Sequence, residues 1–217
     1  MRGYKEAVER LLAMLVEYGP GNRVVANPWV DSVPGLDLPD GPQRRVNNLR
    51  IYLQAHREAR FLLVGQEAGY AGCRFSGVPF TGEDLVEGPR ALPFFRPGGR
   101  RSSVFPKLMS ERSANIVWPC IGSEGRVALW NSLPFHCHEP DKPLTNRAWC
   151  ARDDRNGLAE AILRHMVERV LPRAQLIAVG RKAEETLAKM GYEAQAVRHP
   201  SQGGATIFRA QMARILS

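Results

Sequence analysis

The chain reads as an α/β protein, a three-layer αβα sandwich around a central, mainly parallel four-stranded sheet. Two observations predict this. Four short apolar runs, 61–64, 127–130, 175–179 and 193–197, show no helical stripe and suit strands buried on both faces. Segments with helical spacing alternate with them, the pattern of parallel strands joined by helical crossovers.

Taken in order, Tyr4, Ala7, Val8, Leu11, Leu12 and Leu15 recur at helical spacing, and Gly19, Pro20 and Gly21 stop that helix. Residues 22–43 carry Pro28, Pro34, Pro39 and Pro42 without periodicity, an irregular connection anchored by Asn27, Pro28 and Trp29. A second helix starts after Asp40 and turns Val46, Leu49, Tyr52 and Leu53 inward. The first strand follows and stops at Gly65, where a polar loop with Gly69, Gly72 and Gly77 begins. Residues 83–101, rich in Gly, Pro and Arg, read as a surface loop, and 103–118 as helical. The second strand ends at Asn131, followed by the polar, proline-punctuated loop 132–147. Leu158, Ala161, Ile162, Met166 and Val170 mark the next helix. After the third strand Gly180 turns into a helix over 181–190 closed by Gly191, and the last helix, 205–216, directs Ile207, Phe208, Met212 and Ile215 at the sheet.

The 217 residues hold no linker and are expected to form one domain, 1–217. No apolar run is long enough to span a bilayer, and the amino-terminal segment is charged and amphipathic, which places the protein in the cytoplasm away from membranes. Cys73, Cys120, Cys137 and Cys150 form no close motif and no disulfide framework. Thirty Lys and Arg against 22 Asp and Glu give a net charge of +8, which favours a polyanionic partner or reflects a basic proteome. Arg90, Arg96, Arg100 and Arg101 are candidate phosphate contacts. With no further apolar stripe, a monomer is expected.

Two strand-end loops carry the chemistry. Ligands of open α/β sheets collect beyond the carboxyl ends of strands. There stand Gly65, Gln66, Glu67, Ala68 and Gly69 after the first strand, and His199, Pro200, Ser201, Gln202, Gly203 and Gly204 after the fourth. Glu67 has the chemistry of a general base toward water, or of an exposed loop glutamate. Phe80, in G-V-P-F, suits a core position, Asn131 a turn cap, and His199 a structural hydrogen bond. His136, Cys137, His138 and Cys150 have zinc-ligand chemistry, but their spacing matches no familiar site, and no metal is expected.

In that order these motifs make residues 61–208 resemble the uracil-DNA glycosylase superfamily. The resemblance implies removal of uracil or a related deaminated base from DNA, single or double stranded, by base flipping and water attack without a cofactor. Phe80 would stack on the flipped base, Asn131 would read its edge, His199 would donate to its O2, and Glu67 would orient or deprotonate the attacking water. Gly65, Gln66 and Tyr70 would complete the base pocket, and Pro200, Ser201, Gln202 and Gly203 would lie against the DNA. Ala68 replaces the usual proline, and Gly69 stands where the most uracil-selective branch carries a tyrosine, with Tyr70 one position late. The amino-terminal C-x-x-C of the iron–sulfur branches is missing, so no cluster is expected. A glycosylase-like protein that binds nucleic acid or nucleotides without catalysis is the alternative.

Overall fold

The chain alternates α1 (Arg2–Glu17), β1 (Val25–Ala26), α2 (Gly41–Ala55), β2 (Phe61–Glu67), α3 (Cys73–Ser76), α4 (Ala114–Ile121), β3 (Val127–Leu133), β4 (His136–Cys137), α5 (Leu158–His165), β5 (Gln175–Val179), α6 (Arg181–Lys189), β6 (Gln195–Val197) and α7 (Ala205–Leu216). This computed structural model describes residues 2–19, 21–154 and 157–217; the helix stop expected at Pro20 lies outside them. A four-stranded parallel sheet in the order β3-β2-β5-β6 forms the centre. Every residue of β3 and the first five of β2 are buried, because helices cover both faces. One side carries α5 and α6, with α1 against α5 and its π-helical continuation Met166–Val170. On the other side α4 packs on α7, and the Tyr52 hydroxyl of α2 donates to the Leu129 carbonyl at 3.3 Å.

Several boundaries differ from the sequence reading. β2 runs past Gly65 to Glu67, and β3 past Asn131 to Leu133, since Gly65 pairs with Asn131 and Glu67 with Leu133 in the ladder. The irregular connection contains β1, which pairs antiparallel with β4, and residues 132–138 are buried rather than a polar surface loop. Of the expected 103–118 helix only 114–118 is helical, within α4, which runs on to Ile121 and ends at Gly122 (φ +70). Ile207 faces outward at 54% exposure, because the inward stripe of α7 is Phe208, Met212 and the half-buried Ile215, spaced four and three apart.

The largest correction concerns residues 83–101. Leu85, Val86 and Phe95 are buried, and the fully buried Glu83 carboxylate accepts from the backbone N–H groups of Ser102 (2.7 Å) and Ser103 (2.8 Å). Beside it Asp37 accepts two hydrogen bonds from Arg74, at 3.0 and 2.7 Å, and one from Arg45 at 2.6 Å, with all three side chains inaccessible. Arg45 also reaches the Ser102 hydroxyl and the Asp31 carbonyl. These charges are satisfied by one another and by backbone, so burial is tolerated. Of the candidate phosphate contacts in this segment, Arg90 pairs with Asp84 at 2.5 Å and the half-buried Arg101 donates to the Phe105 carbonyl. Arg96 and Arg100 stay exposed.

Candidate active site

The carboxyl ends of the four parallel strands open into one cleft of about 780 Å³. Gln66, Glu67 and Phe80 enter it with Asn131 from the β2/β3 end, and His199, Ser201 and Gln202 from beyond β6. The ladder register that sets Gly65 beside Asn131 fixes the first group. A Cβ on Gly65 would stand 2.3 Å from Phe80 Cζ and 2.8 Å from Asn131 Oδ1. Glycine is therefore required there, and it lets the Phe80 ring lie flat over the strand beside the Asn131 amide. Phe80 itself holds φ +50, a left-handed conformation rare for an aromatic residue. Its carbonyl accepts from Trp118 Nε1 at 2.9 Å, which pins it in place. Asn131 is 2% exposed, and its amide makes no hydrogen bond with the described residues.

Glu67 lies half-buried at the end of β2. Burial pushes its carboxyl up to about 7, against the opposing pull of the Trp149 backbone N–H, Lys182 and Arg147. Its Oε2 is buried without a protein partner, and so is Gln66 Nε2.

His199 has a defined tautomer. The Ser201 backbone N–H donates to its Nδ1 at 3.1 Å, with the Ser201 hydroxyl at 2.7 Å from the same atom. An N–H can only donate, so Nδ1 is an acceptor and the neutral ring carries its proton on Nε2. Burial, with Arg198 adding to it, holds the imidazole below its usual pKa and favours this neutral form. Gly180 (φ +83) makes room: a Cβ there would sit 3.3 Å from His199 Cβ. A stacking surface, a two-sided amide, an Nε2–H donor and a carboxyl near neutrality thus converge.

No protein-family model matches the sequence, and no curated protein does. Among solved structures the chain is similar to the wild-type SMUG2 of Pedobacter heparinus, with 15% identity, a TM-score of 0.56, and coverage of 94% of this chain and 95% of that one. The likeness shows a shared α/β fold. At that identity the likeness concerns the fold, and it extends over nearly the whole of both chains.

On this fold some expected residues stand apart from the cleft wall. Gly65 backs Phe80 from within the sheet, and Tyr70 meets Asn146 Oδ1 through its backbone N–H at 3.0 Å. Pro200 is buried, and Gly203 is exposed on the loop. Conversely, Glu111, Asn146, Arg181, Lys182 and Arg198 line the cleft and were not singled out by sequence as site residues. The Glu111 carboxyl is raised to about 7 by burial and then by Asp84, and its Oε2 is buried without a partner. A Cβ on Gly72 would fall 2.2 Å from that oxygen, so the glycine loop is shaped around it. Nothing local in E-R-S-A-N marks Glu111, since that run falls inside the helix expected over 103–118. His136 and His138 are engaged by the Thr145 and Glu139 carbonyls, each at 2.8 Å. Among the described residues no group of three His, Cys, Asp or Glu side chains converges as a metal site.

Proposed function

We propose that the protein is a DNA glycosylase that hydrolyses the N-glycosidic bond of uracil or a related deaminated base in DNA. The observation that carries this reading is the His199 tautomer, an Nε2–H donor beside Phe80, Asn131 and a half-buried carboxyl in one cleft. The target nucleotide flips into the cleft and its base stacks on Phe80, a contact contributing roughly 1 to 3 kcal/mol. Asn131 pairs with the N3–H and O4 edge through its carbonyl and amide. Cleavage sends the electron pair of the C1′–N1 bond into the base, and His199 Nε2–H meets the charge growing on O2. Water attacks the oxocarbenium-like C1′ from the Glu67 side, passing its proton to the ionised carboxylate. The base anion, an abasic site and a protonated Glu67 balance the step, and passage of the Glu67 proton to the departing base frees the neutral base and restores the carboxylate.

End-labelled oligonucleotides with one uracil, single stranded or opposite guanine or adenine, test it after hot alkali. Cleavage at uracil is expected, reduced in His199→Ala by about 10²- to 10³-fold, the cost of losing an oxyanion donor. No cleavage of uracil or of other deaminated bases, with salt-sensitive DNA binding intact, would favour the non-catalytic binder.

A further inference from the structure

The chemistry gathers at the carboxyl ends of the strands, yet a dense group of cations lies at their amino ends. A cleft of about 630 Å³ there is walled by Arg57, Arg60, Arg126, Arg169 and Arg173, with Glu58 as its one acidic residue among those described. It adjoins a larger cleft of about 1180 Å³, and the two share Arg57, Glu58, Arg60 and Arg126. All five arginines are exposed. Among the described residues only Arg57 forms an ion pair, a loose one to Glu58 at 3.9 Å. The positions are nonetheless fixed: the Arg60 N–H donates to the Arg126 carbonyl at 2.9 Å, and the Gln175 N–H to the Arg60 carbonyl at 2.8 Å. Those bonds tie the entries of β2, β3 and β5 together, and the Arg126 guanidinium rests over the Phe61 ring.

Permanently charged planar forks at fixed places suit phosphate oxygens, which they bind in pairs of hydrogen bonds. Five in one concave wall suit a polymer of phosphates. The seven residues of β2 separate the two poles by roughly 20 Å at about 3.3 Å per residue. A strand seated at His199 therefore reaches the amino pole only as another length of the polymer. We propose that the amino-pole cleft binds the phosphodiester backbone of a second nucleic-acid segment, separate from the one that enters the catalytic cleft. This second site is independent of the glycosylase reading, because it recognises undamaged backbone.

The test titrates the full-length protein with an undamaged 12-base-pair duplex at low salt, counting duplexes per protein by analytical ultracentrifugation and following affinity against salt. The wild type is expected to take two duplexes, and the Arg60→Ala/Arg126→Ala/Arg169→Ala/Arg173→Ala variant one. Its log–log salt slope should be shallower by about 3 to 4, from roughly 0.9 per phosphate contact removed. A charge-matched control with Lys107, Lys189, Arg209 and Arg214 changed to alanine should keep the second duplex. If the quadruple variant melts early, Arg169→Glu/Arg173→Glu, at exposed positions in the π-helical segment and in the turn after it, should also lose it. Uracil removal from a saturating short oligonucleotide should be unchanged in these amino-pole variants. A quadruple variant that binds as many duplexes as the wild type, or equal loss in the charge-matched control, overturns the proposal. So does polyglutamate that holds the cleft against undamaged DNA, which would assign it to an acidic polypeptide.

Discussion

Burial moves the Glu67 carboxyl from 4.5 to about 7 although a backbone N–H and two cations pull the other way. A folded-state pKa raised above the unfolded value stabilises the protein fully below pH 4.5, and that contribution is lost as pH rises through about 7. The whole effect is on the order of 3 kcal/mol. Glu67→Gln removes the titration, so in urea unfolding the variant should gain on the wild type between pH 5 and pH 9 by about that amount. A difference that stays flat with pH would mean the carboxyl is not buried. In the proposed reaction the same ionisation supplies the base: kcat/KM should rise with pH to a plateau just above 7, and Lys182→Ala should move this limb to higher pH by removing a cation that favours the charged form. Gly65→Ala should displace the Phe80 ring and slow single-turnover cleavage about 10- to 100-fold, matching the loss of a stacking surface. Glu67, Asn131 and His199 stood out because each belongs to a short motif at or just past a strand end, and Phe80 because of its G-V-P-F motif. The unpartnered Gln66 amide and Glu111 carboxyl did not, since both depend on which distant segment folds over them.

At the level of elements, apolar runs gave away β2, β3 and β5 because both their faces are buried. β5 has the bounds expected of it, Gln175–Val179, whereas the end of β2 was misplaced for one physical reason: Gly65 reads as a stop, yet in a parallel ladder it is the residue that leaves space for Phe80. The packed segment 83–101 was illegible for another. Sequence assigns charged residues to the surface, whereas Asp37, Arg45, Arg74 and Glu83 form a buried polar scaffold that holds the chain on either side of Phe80. Burial by itself would raise the Asp37 carboxyl, but Arg74 and Arg45 outweigh it and its pKa is lowered. Asp37→Ala leaves two guanidinium groups buried without their shared partner, and unfolding free energy should fall by about 3 to 5 kcal/mol. Because the folded pKa is depressed, the wild type's advantage over this variant should be present at neutral pH and shrink as pH falls below about 4. Denaturant melts of both proteins at pH 3 and pH 7 would reveal it. An equal difference at both values would assign the loss to packing rather than to the ion pairs.

Over the whole molecule, the net charge of +8 is shared between two ends of one sheet that present different chemistry. At the proposed catalytic end the exposed Arg181, Lys182 and Arg198 flank the buried Asn131 and the half-buried Glu67 and His199, so salt should act on the two steps of turnover unequally. Capture of DNA exchanges counterions for exposed side chains and weakens steeply as salt rises. In the proposed reaction bond cleavage takes place among Glu67, Asn131 and His199, where the field is screened far less. At sub-saturating single-stranded substrate, kcat/KM should therefore fall with salt, whereas kcat at saturation should hold nearly constant. Arg181→Ala and Arg198→Ala, measured on an oligonucleotide too short to reach the amino pole, should each reduce the log–log slope of kcat/KM by about 0.7, one phosphate contact on a single strand. A kcat that drops in parallel with kcat/KM would place screened, exposed charge in the bond-breaking step and remove the division of labour between rim and floor.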